Sequence, residues 1–483
     1  MGRMLSTKAF QPPAPQAVQP VATPPVSRPA SYPSEDPNRV WARSARPVHT
    51  GAESDPAVRI AFYGGLIFLF LRLGAVPEIL YSLFTTSTPI LYVVAAPAFL
   101  GALFAGGVIR TLRSSAAKFW LLFFAWMIVA VPFSSWISGS VARVLFYLRD
   151  DLPLLFIIGG LAVNWKQVRA AFYTIAAAGV FNVISARFFA RVSDGRLSLT
   201  NMTETLGNPN DLASQLLLVL PFVMFVVVQK RNPAIRILLL GASVYGVYVV
   251  FGTASRGALV ALGLQLLILL WCATPKGRVA VLAAAVVLAS AIPFALPHET
   301  VDRLGTVFGN SSVEAEQSAN DRSYLFRQSV RYTVQHPLFG VGPDQFLNYE
   351  GEESQKQGWH GLWHVTHCAY TQVSSECGVP ALIFFVAGLV SALRLLWRLF
   401  QAARLQGATD IANACLCYLV GMSGYLGAIA FLSSAYSFHL PAMVGLAVSM
   451  SFAGHKELAR RREHAPAAVL AGPQRRGSAT FAV

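Results

Sequence analysis

Charged side chains are scarce in this chain. Asp, Glu, Lys and Arg make up 13% of its 483 residues, against about 25% in an ordinary soluble domain. A single soluble core of this length is therefore excluded. Cysteine is sparse as well. The five cysteines form no pattern and contain no C-x-x-C pair of the kind that holds a metal. Cys272, Cys415 and Cys417 fall in apolar segments, while Cys368 and Cys377 flank a polar stretch, and sequence does not say whether those two are bridged. The first residues hold no apolar core of a signal peptide, so none is expected to be cleaved. Acidic residues are nearly absent from the middle of the apolar runs, and no internal repeat is found. A transporter would be expected to show both features.

Apolar residues are abundant, at 54%. The run LASQLLLVLPFVMFVVVQ at 212–229 is long enough to cross a bilayer, and comparable runs follow it. The runs do not alternate as the shorter strands of a membrane β-barrel do. The expectation is an all-α, polytopic helix bundle of about twelve spans. Their limits are near 58–73, 88–108, 118–137, 145–163, 168–189, 212–229, 234–253, 256–273, 279–296, 378–398, 409–431 and 436–453. Residues 1–56 are rich in Pro, Ala, Ser and Arg and read as a Pro-rich tail unable to bury a core. Residues 57–454 form the membrane domain, with a large loop at 297–377, and residues 455–483 form a basic tail.

The net charge of +15 is better explained by membrane topology than by nucleic acid. With the N-terminus inside, the inner loops carry Arg110, Arg113 and Lys118, then Lys166 and Arg169, Lys230, Arg231 and Arg236, Lys276 and Arg278, and finally Arg394, Arg398 and Arg404. An even number of spans puts both tails in the cytoplasm, as the positive-inside rule asks. Arg143, Arg149, Arg187, Arg191, Arg196 and Arg256 then fall on the outer side, against the rule. They either snorkel to headgroups or form an anion site. The loop at 297–377 far exceeds the ~12–15 residues of a structureless connection. Within it Tyr324, Phe326, Val330, Tyr332 and Val334 recur at helical spacing among Arg322, Arg327 and Arg331, a basic amphipathic helix that either lies on the membrane or covers a site.

Four short stretches stand out. Gly207-Asn208-Pro209-Asn210-Asp211-Leu212-Ala213, at the outer start of the sixth span, makes a turn, with Asp211 placed to cap the following helix. Thr253-Ala254-Ser255-Arg256-Gly257 is a tight link between two spans that fixes an arginine at the outer interface. His336-Pro337-Leu338-Phe339-Gly340-Val341-Gly342-Pro343 ends the amphipathic helix. His367-Cys368-Ala369-Tyr370 and Glu376-Cys377-Gly378 lead into the tenth span.

In this order the stretches resemble the O-antigen ligase family, whose relatives include glycan polymerases and protein O-oligosaccharyltransferases. The family pattern has an Asn-Pro-Asn turn, a Ser-Arg-Gly link, a His-Pro-Leu-x-Gly-x-Gly turn, a His followed by an aromatic, and a Glu-x-Gly. The family's His is commonly followed by Asn or Ser, and here Cys368 stands in that place. The resemblance implies a GT-C-like transferase of the bacterial inner membrane, active on its periplasmic or extracellular face. Such a protein moves a glycan from an undecaprenyl-diphosphate carrier to a hydroxyl of a growing glycan, of lipid A–core or of a protein.

The residue chemistry fits that reaction independently. A departing lipid diphosphate needs cationic stabilisation, and the incoming hydroxyl needs a base. Arginine binds phosphate oxygens in a bidentate fork and stays charged. Arg256 and Arg143 are the first candidates, followed by Arg149, Arg191, Arg196 and Arg322 from the amphipathic helix. Histidine titrates near neutrality, which makes His367 the candidate base, with His360 and His364 as neighbours that compete for the role. Glu376 either orients His367 or caps a helix. His367 also has a purely structural reading as a hydrogen bonder, Arg256 as a turn anchor, and Arg322 and Arg327 as a solvated helix face. The outer loops contain no D-x-D motif, and Asp150-Asp151 is their one pair of adjacent aspartates. A metal-independent reaction without a cofactor is therefore expected, because a nucleotide-sugar enzyme needs carboxylates to hold its metal. A flippase and a non-catalytic scaffold using the Pro-rich tail are the rival classes.

Overall fold

The computed structural model describes residues 56–84, 89–193, 195–199, 207–305 and 313–464. The Pro-rich tail, but for Pro56, and the basic tail beyond residue 464 lie outside the described residues. The chain opens with α1 (Pro56–Leu73), α2 (Val76–Phe84), α3 (Ile90–Phe104), the short α4 (Gly107–Leu112) and α5 (Ser115–Ala130). A 3-10 turn leads to α6 (Ile137–Phe146), and a π-helical turn at Tyr147–Asp151 leads to α7 (Pro153–Leu161). One apolar run near 145–163 is thus divided between two helices that meet at Asp150-Asp151.

α8 (Trp165–Phe189) begins on a capping box, in which Asn164 accepts from the Gln167 N–H and the Gln167 side chain reaches back. It runs into an antiparallel hairpin of β1 (Ala190–Ser193) and β2 (Arg196–Leu199), with Ala190 opposite Leu199. α9 (Pro209–Gln229), α10 (Pro233–Gly252), α11 (Arg256–Cys272) and α12 (Pro275–Ala295) follow, linked by short turns. The large loop contains α13 (His298–Gly305), α14 (Val313–Gln335) and α15 (Phe346–Lys356). α16 (Ala369–Leu405), α17 (Thr409–Ala428) and α18 (His439–Glu463) complete the bundle.

The protein is an all-α, polytopic membrane bundle. Among the described residues eight helices are long and apolar enough to cross a membrane, namely α1, α5, α8, α9, α10, α12, α16 and α17. α3 and α11 are apolar but shorter. α9 is central, with 78% of its most apolar window buried, whereas α12, with 6%, turns nearly its whole surface outward. The core is aromatic where α5 meets α16: the Trp120 and Phe385 rings lie 5.5 Å apart and those of Phe123 and Phe385 5.3 Å apart. On the other side of α9, Phe172 packs on Phe222 at 4.8 Å and on Phe225 at 4.9 Å. A polar knot ties α1, α9 and α18. Arg72 pairs with Asp151 at 2.8 Å, and its guanidinium lies 4.3 Å from the centroid of Phe438. That ring stacks on buried His439, which hydrogen-bonds Gln215 and Ser437.

Candidate functional site

Arg196 on β2 joins two of the sequence motifs. Its Nε donates to the Thr253 carbonyl at 3.1 Å and its Nη2 to Asn210 Oδ1 at 2.7 Å. Asn208, rather than Asp211, caps α9 by accepting from the Asn210 N–H at 2.9 Å. Pro209 takes the first helical position, where its missing N–H is harmless. In the Asn-Pro-Asn turn the first residue is therefore the cap, the second starts the helix, and the third accepts from the arginine.

The Ser-Arg-Gly link is divided in the same way. Ser255 caps α11 by accepting from the Ala258 N–H at 3.3 Å. A Cβ on Gly257 would stand 2.8 Å from the Phe431 Cβ, so only glycine lets the turn close on that residue. Arg256 is the first residue of α11. A helix N-terminus carries partial positive charge and disfavours a cation, whereas a cation added to it makes a strong place for an anion.

Four arginines from four elements act on one another here. Arg322 on α14 is lowered from its usual range by burial and then by Arg256 and Arg303. Arg196 is lowered to about 10 by burial and then by Arg303 and Arg322. His367 belongs to the same field: burial, then Arg322, then His364 lower it to about 4. At neutral pH its imidazole is uncharged and able to accept a proton. Its backbone is left-handed, with φ of 54°, and its N–H donates to Ser433 Oγ at 2.8 Å. The neighbouring Thr366 hydroxyl meets the same Ser433 oxygen at 3.0 Å. The turn between α17 and α18 thus holds the histidine in place.

Glu376 sits elsewhere. α16 is broken at Gly378, whose φ of 84° and ψ of 172° only glycine adopts comfortably. The break and Pro380 free the Ser375 and Glu376 carbonyls from helical bonds. The His-Pro turn takes them up. The Val341 N–H donates to the Ser375 carbonyl at 2.8 Å, the Gly342 N–H to the Glu376 carbonyl at 2.9 Å, and the Val379 N–H to the Pro337 carbonyl at 2.8 Å. The indole of Trp126 caps the Leu338 and Cys377 carbonyls, each at 3.1 Å. The buried Glu376 carboxylate accepts from the Asp344 N–H at 3.0 Å and the Tyr436 hydroxyl at 2.7 Å. His367 is not among its partners. Asp344 is raised by burial, with Arg143 opposing. Arg143 donates to the Tyr436 carbonyl at 3.1 Å and lies 5.1 Å from the centroid of the Tyr436 ring.

The sequence-predicted residues therefore fall into three groups. Arg196, Arg256, Arg322 and His367 come together. Arg143 and Glu376 join the buried interlock around Tyr436. Arg149 pairs with Asp150 at 2.8 Å on an exposed side chain, and Arg191 lies exposed on β1. Arg327 is exposed, but Arg322 is not on a solvated face. Cys368 and Cys377 are free thiols. Among the described residues no three His, Cys, Asp or Glu side chains gather as a metal-ligand set. Sequence reasoning missed Arg303, because one arginine in a short amphipathic stretch carries no motif. It also missed Ser433, whose role depends wholly on a long-range contact.

Residues 241–386 match a family model described as O-antigen ligase. This stretch contains the Ser-Arg-Gly link, α13 to α15, the His-Pro turn, His367 and Glu376, while Arg196 and the Asn-Pro-Asn turn precede it. No curated protein matches the chain.

Proposed function

From the match of residues 241–386 to the O-antigen ligase family model, we propose that the chain is a member of that family and moves a glycan from an undecaprenyl-diphosphate carrier to an acceptor hydroxyl. At the coarse level it is a membrane glycan transferase of the ligase or polymerase type. The finer reading is a GT-C-like, metal-independent and inverting enzyme of the bacterial inner membrane. Both termini are cytoplasmic and the site faces outward. The acceptor is a growing glycan, lipid A–core or a protein hydroxyl.

One observation carries this reading: Arg196, Arg256, Arg303 and Arg322 lie in one electrostatic field, and Arg322 in turn acts on a neutral histidine, His367, held by the turn between α17 and α18. Fixed cations gathered in this way suit a ligand with several anionic oxygens, as a diphosphate has. In the reaction His367 accepts the proton of the acceptor hydroxyl. The hydroxyl oxygen forms a bond to the anomeric carbon from the face opposite the leaving group. The bond from that carbon to the diphosphate oxygen breaks, and its electron pair stays with the carrier. The arginines stabilise that growing charge, which is where fixed cations lower a barrier most.

The test is complementation of cells lacking the protein, with glycans and carrier lipids extracted. His367→Ala and Arg256→Ala should insert normally, stop glycan transfer and let the lipid-linked donor accumulate. The size of the wild-type product separates ligase from polymerase. Wild-type transfer by both variants would overturn the assignment and favour a flippase or a scaffold.

A further inference from the structure

The loop between α15 and α16 reads Trp359-His360-Gly361-Leu362-Trp363-His364-Val365-Thr366-His367, and its tryptophans have no part in the phosphate chemistry. Trp363 is held in an unusual way. Its φ is 52°, a left-handed backbone that a bulky side chain adopts only when its surroundings force it. Its N–H donates to Glu350 Oε2 at 3.1 Å, and its indole N–H donates to the His360 carbonyl at 2.8 Å. Its ring covers Gly351, where a Cβ would overlap the indole. Glu350 is fully buried, and its other oxygen takes the Ser354 hydroxyl at 2.9 Å and the Tyr324 hydroxyl at 3.3 Å. With its backbone and indole N–H groups satisfied inside the loop, the residue is still 37% exposed. Trp359 stands edge-on to Tyr324 at 5.5 Å, and Tyr324 lies two residues beyond Arg322. His360 and His364 are exposed beside the two indoles.

A buried carboxylate, a strained backbone and a glycine made to fit thus present one flat aromatic ring. It lies four residues from the candidate base and on the same loop. A pyranose ring suits such a surface. Its C–H hydrogens form an apolar face with slight positive potential, which the negative face of an indole attracts. Its hydroxyls project at the edge, where imidazoles donate or accept.

We propose that Trp363, with Trp359 beside it and His360 and His364 at the rim, is a saccharide subsite that holds the sugar adjoining the reacting bond. This rests on the glycan-transfer reading and adds to it the place where the carbohydrate lies. Anchoring in lipid is the other common use of an exposed tryptophan, but it requires neither a left-handed backbone nor a buried carboxylate beneath it.

The experiment uses the full chain in lipid nanodiscs with two separate probes. One is inorganic pyrophosphate. The other is oligosaccharide released by mild acid from the carrier lipids of the producing cells, observed by saturation-transfer NMR. Trp363→Phe should bind the oligosaccharide nearly as wild type. Trp363→Leu, equally apolar but without a planar face, should bind it about fivefold to tenfold more weakly, raise KM for transfer more than it lowers kcat, and leave pyrophosphate binding unchanged. Trp359→Leu repeats the comparison from a less constrained position should Trp363→Leu fail to fold. Wild-type oligosaccharide binding in both leucine variants, or no oligosaccharide binding by the wild type, overturns the subsite. Pyrophosphate that does not bind, while the oligosaccharide binds through Trp363, overturns the diphosphate reading and leaves the subsite standing.

Discussion

At His367 burial, Arg322 and His364 all act in one direction, holding the imidazole neutral down to about 4. The sign of the pH dependence follows. A base is lost when it is protonated, so kcat/KM, which reports the free enzyme, should stay level through the mildly acidic range and fall only as pH drops through about 4. Arg322→Gln removes a cation that lowers His367, so its falling limb should lie at higher pH than in the wild type. Binding of the diphosphate opposes the same cations, so the limb in kcat should also lie above that in kcat/KM. Identical limbs in wild type and Arg322→Gln would show that Arg322 does not act on the base. Gly257→Ala tests positioning at the same scale. Its Cβ would press on the Phe431 side chain and shift Arg256 without removing its charge. A misplacement of a fraction of an ångström to 1 Å can lower a rate by about tenfold to a hundredfold. Transfer should therefore fall well before expression or insertion does.

Among the elements, α16 and α14 are the two whose structure departs most from a simple periodic reading. α16 has 37 residues and as one rod would reach about 55 Å, nearly twice the ~30 Å hydrocarbon layer. Gly378 divides it. Gly378→Ala would set a Cβ against the Leu338 carbonyl oxygen, closer than van der Waals contact allows. The backbone strain alone is worth about 1–3 kcal/mol, so the thermal midpoint of the purified protein should fall by several degrees, and an unchanged midpoint would contradict the interlock. Glu376→Gln, which keeps an acceptor for Tyr436 and Asp344, should be milder than Glu376→Leu, which leaves both donors buried without it. In α14 the helix itself was legible from its spacing, but its inward face was not. Leu325, Ser329 and Tyr332 are buried, whereas Phe326, Val330 and Val334 are exposed. Apolar residues stand on both sides of this helix, and spacing alone cannot say which side meets protein.

For the whole molecule, composition and run length were enough for the class, since a bilayer demands long apolar helices and leaves few alternatives. The four motifs were legible as places, because Gly, Pro and Asn mark turns that few other residues make. Their connections were not. Arg196 joins two motifs through an amide and a carbonyl, and Ser433 holds His367 across 66 positions. Such partners share no local pattern. The described residues, from Pro56 onward, fall in one compact unit. A chain shortened to begin there should retain glycan transfer within about twofold in complemented cells, and a larger loss would assign the Pro-rich segment a part in the reaction.

The break in α16 also bears on how the protein tolerates membranes of different thickness. A helix too long or too short for its bilayer tilts, and a continuous rod would carry that tilt to its far end. Gly378 interrupts the rod, so a tilt of residues 379–405 is not carried rigidly into residues 369–377. Residues 369–377 are held instead by the His-Pro turn and Trp126. Transfer in thin and in thick phosphatidylcholine bilayers should therefore differ by less than about twofold. A dependence on thickness much steeper than that would show that Gly378 does not uncouple residues 369–377 from the span that follows it.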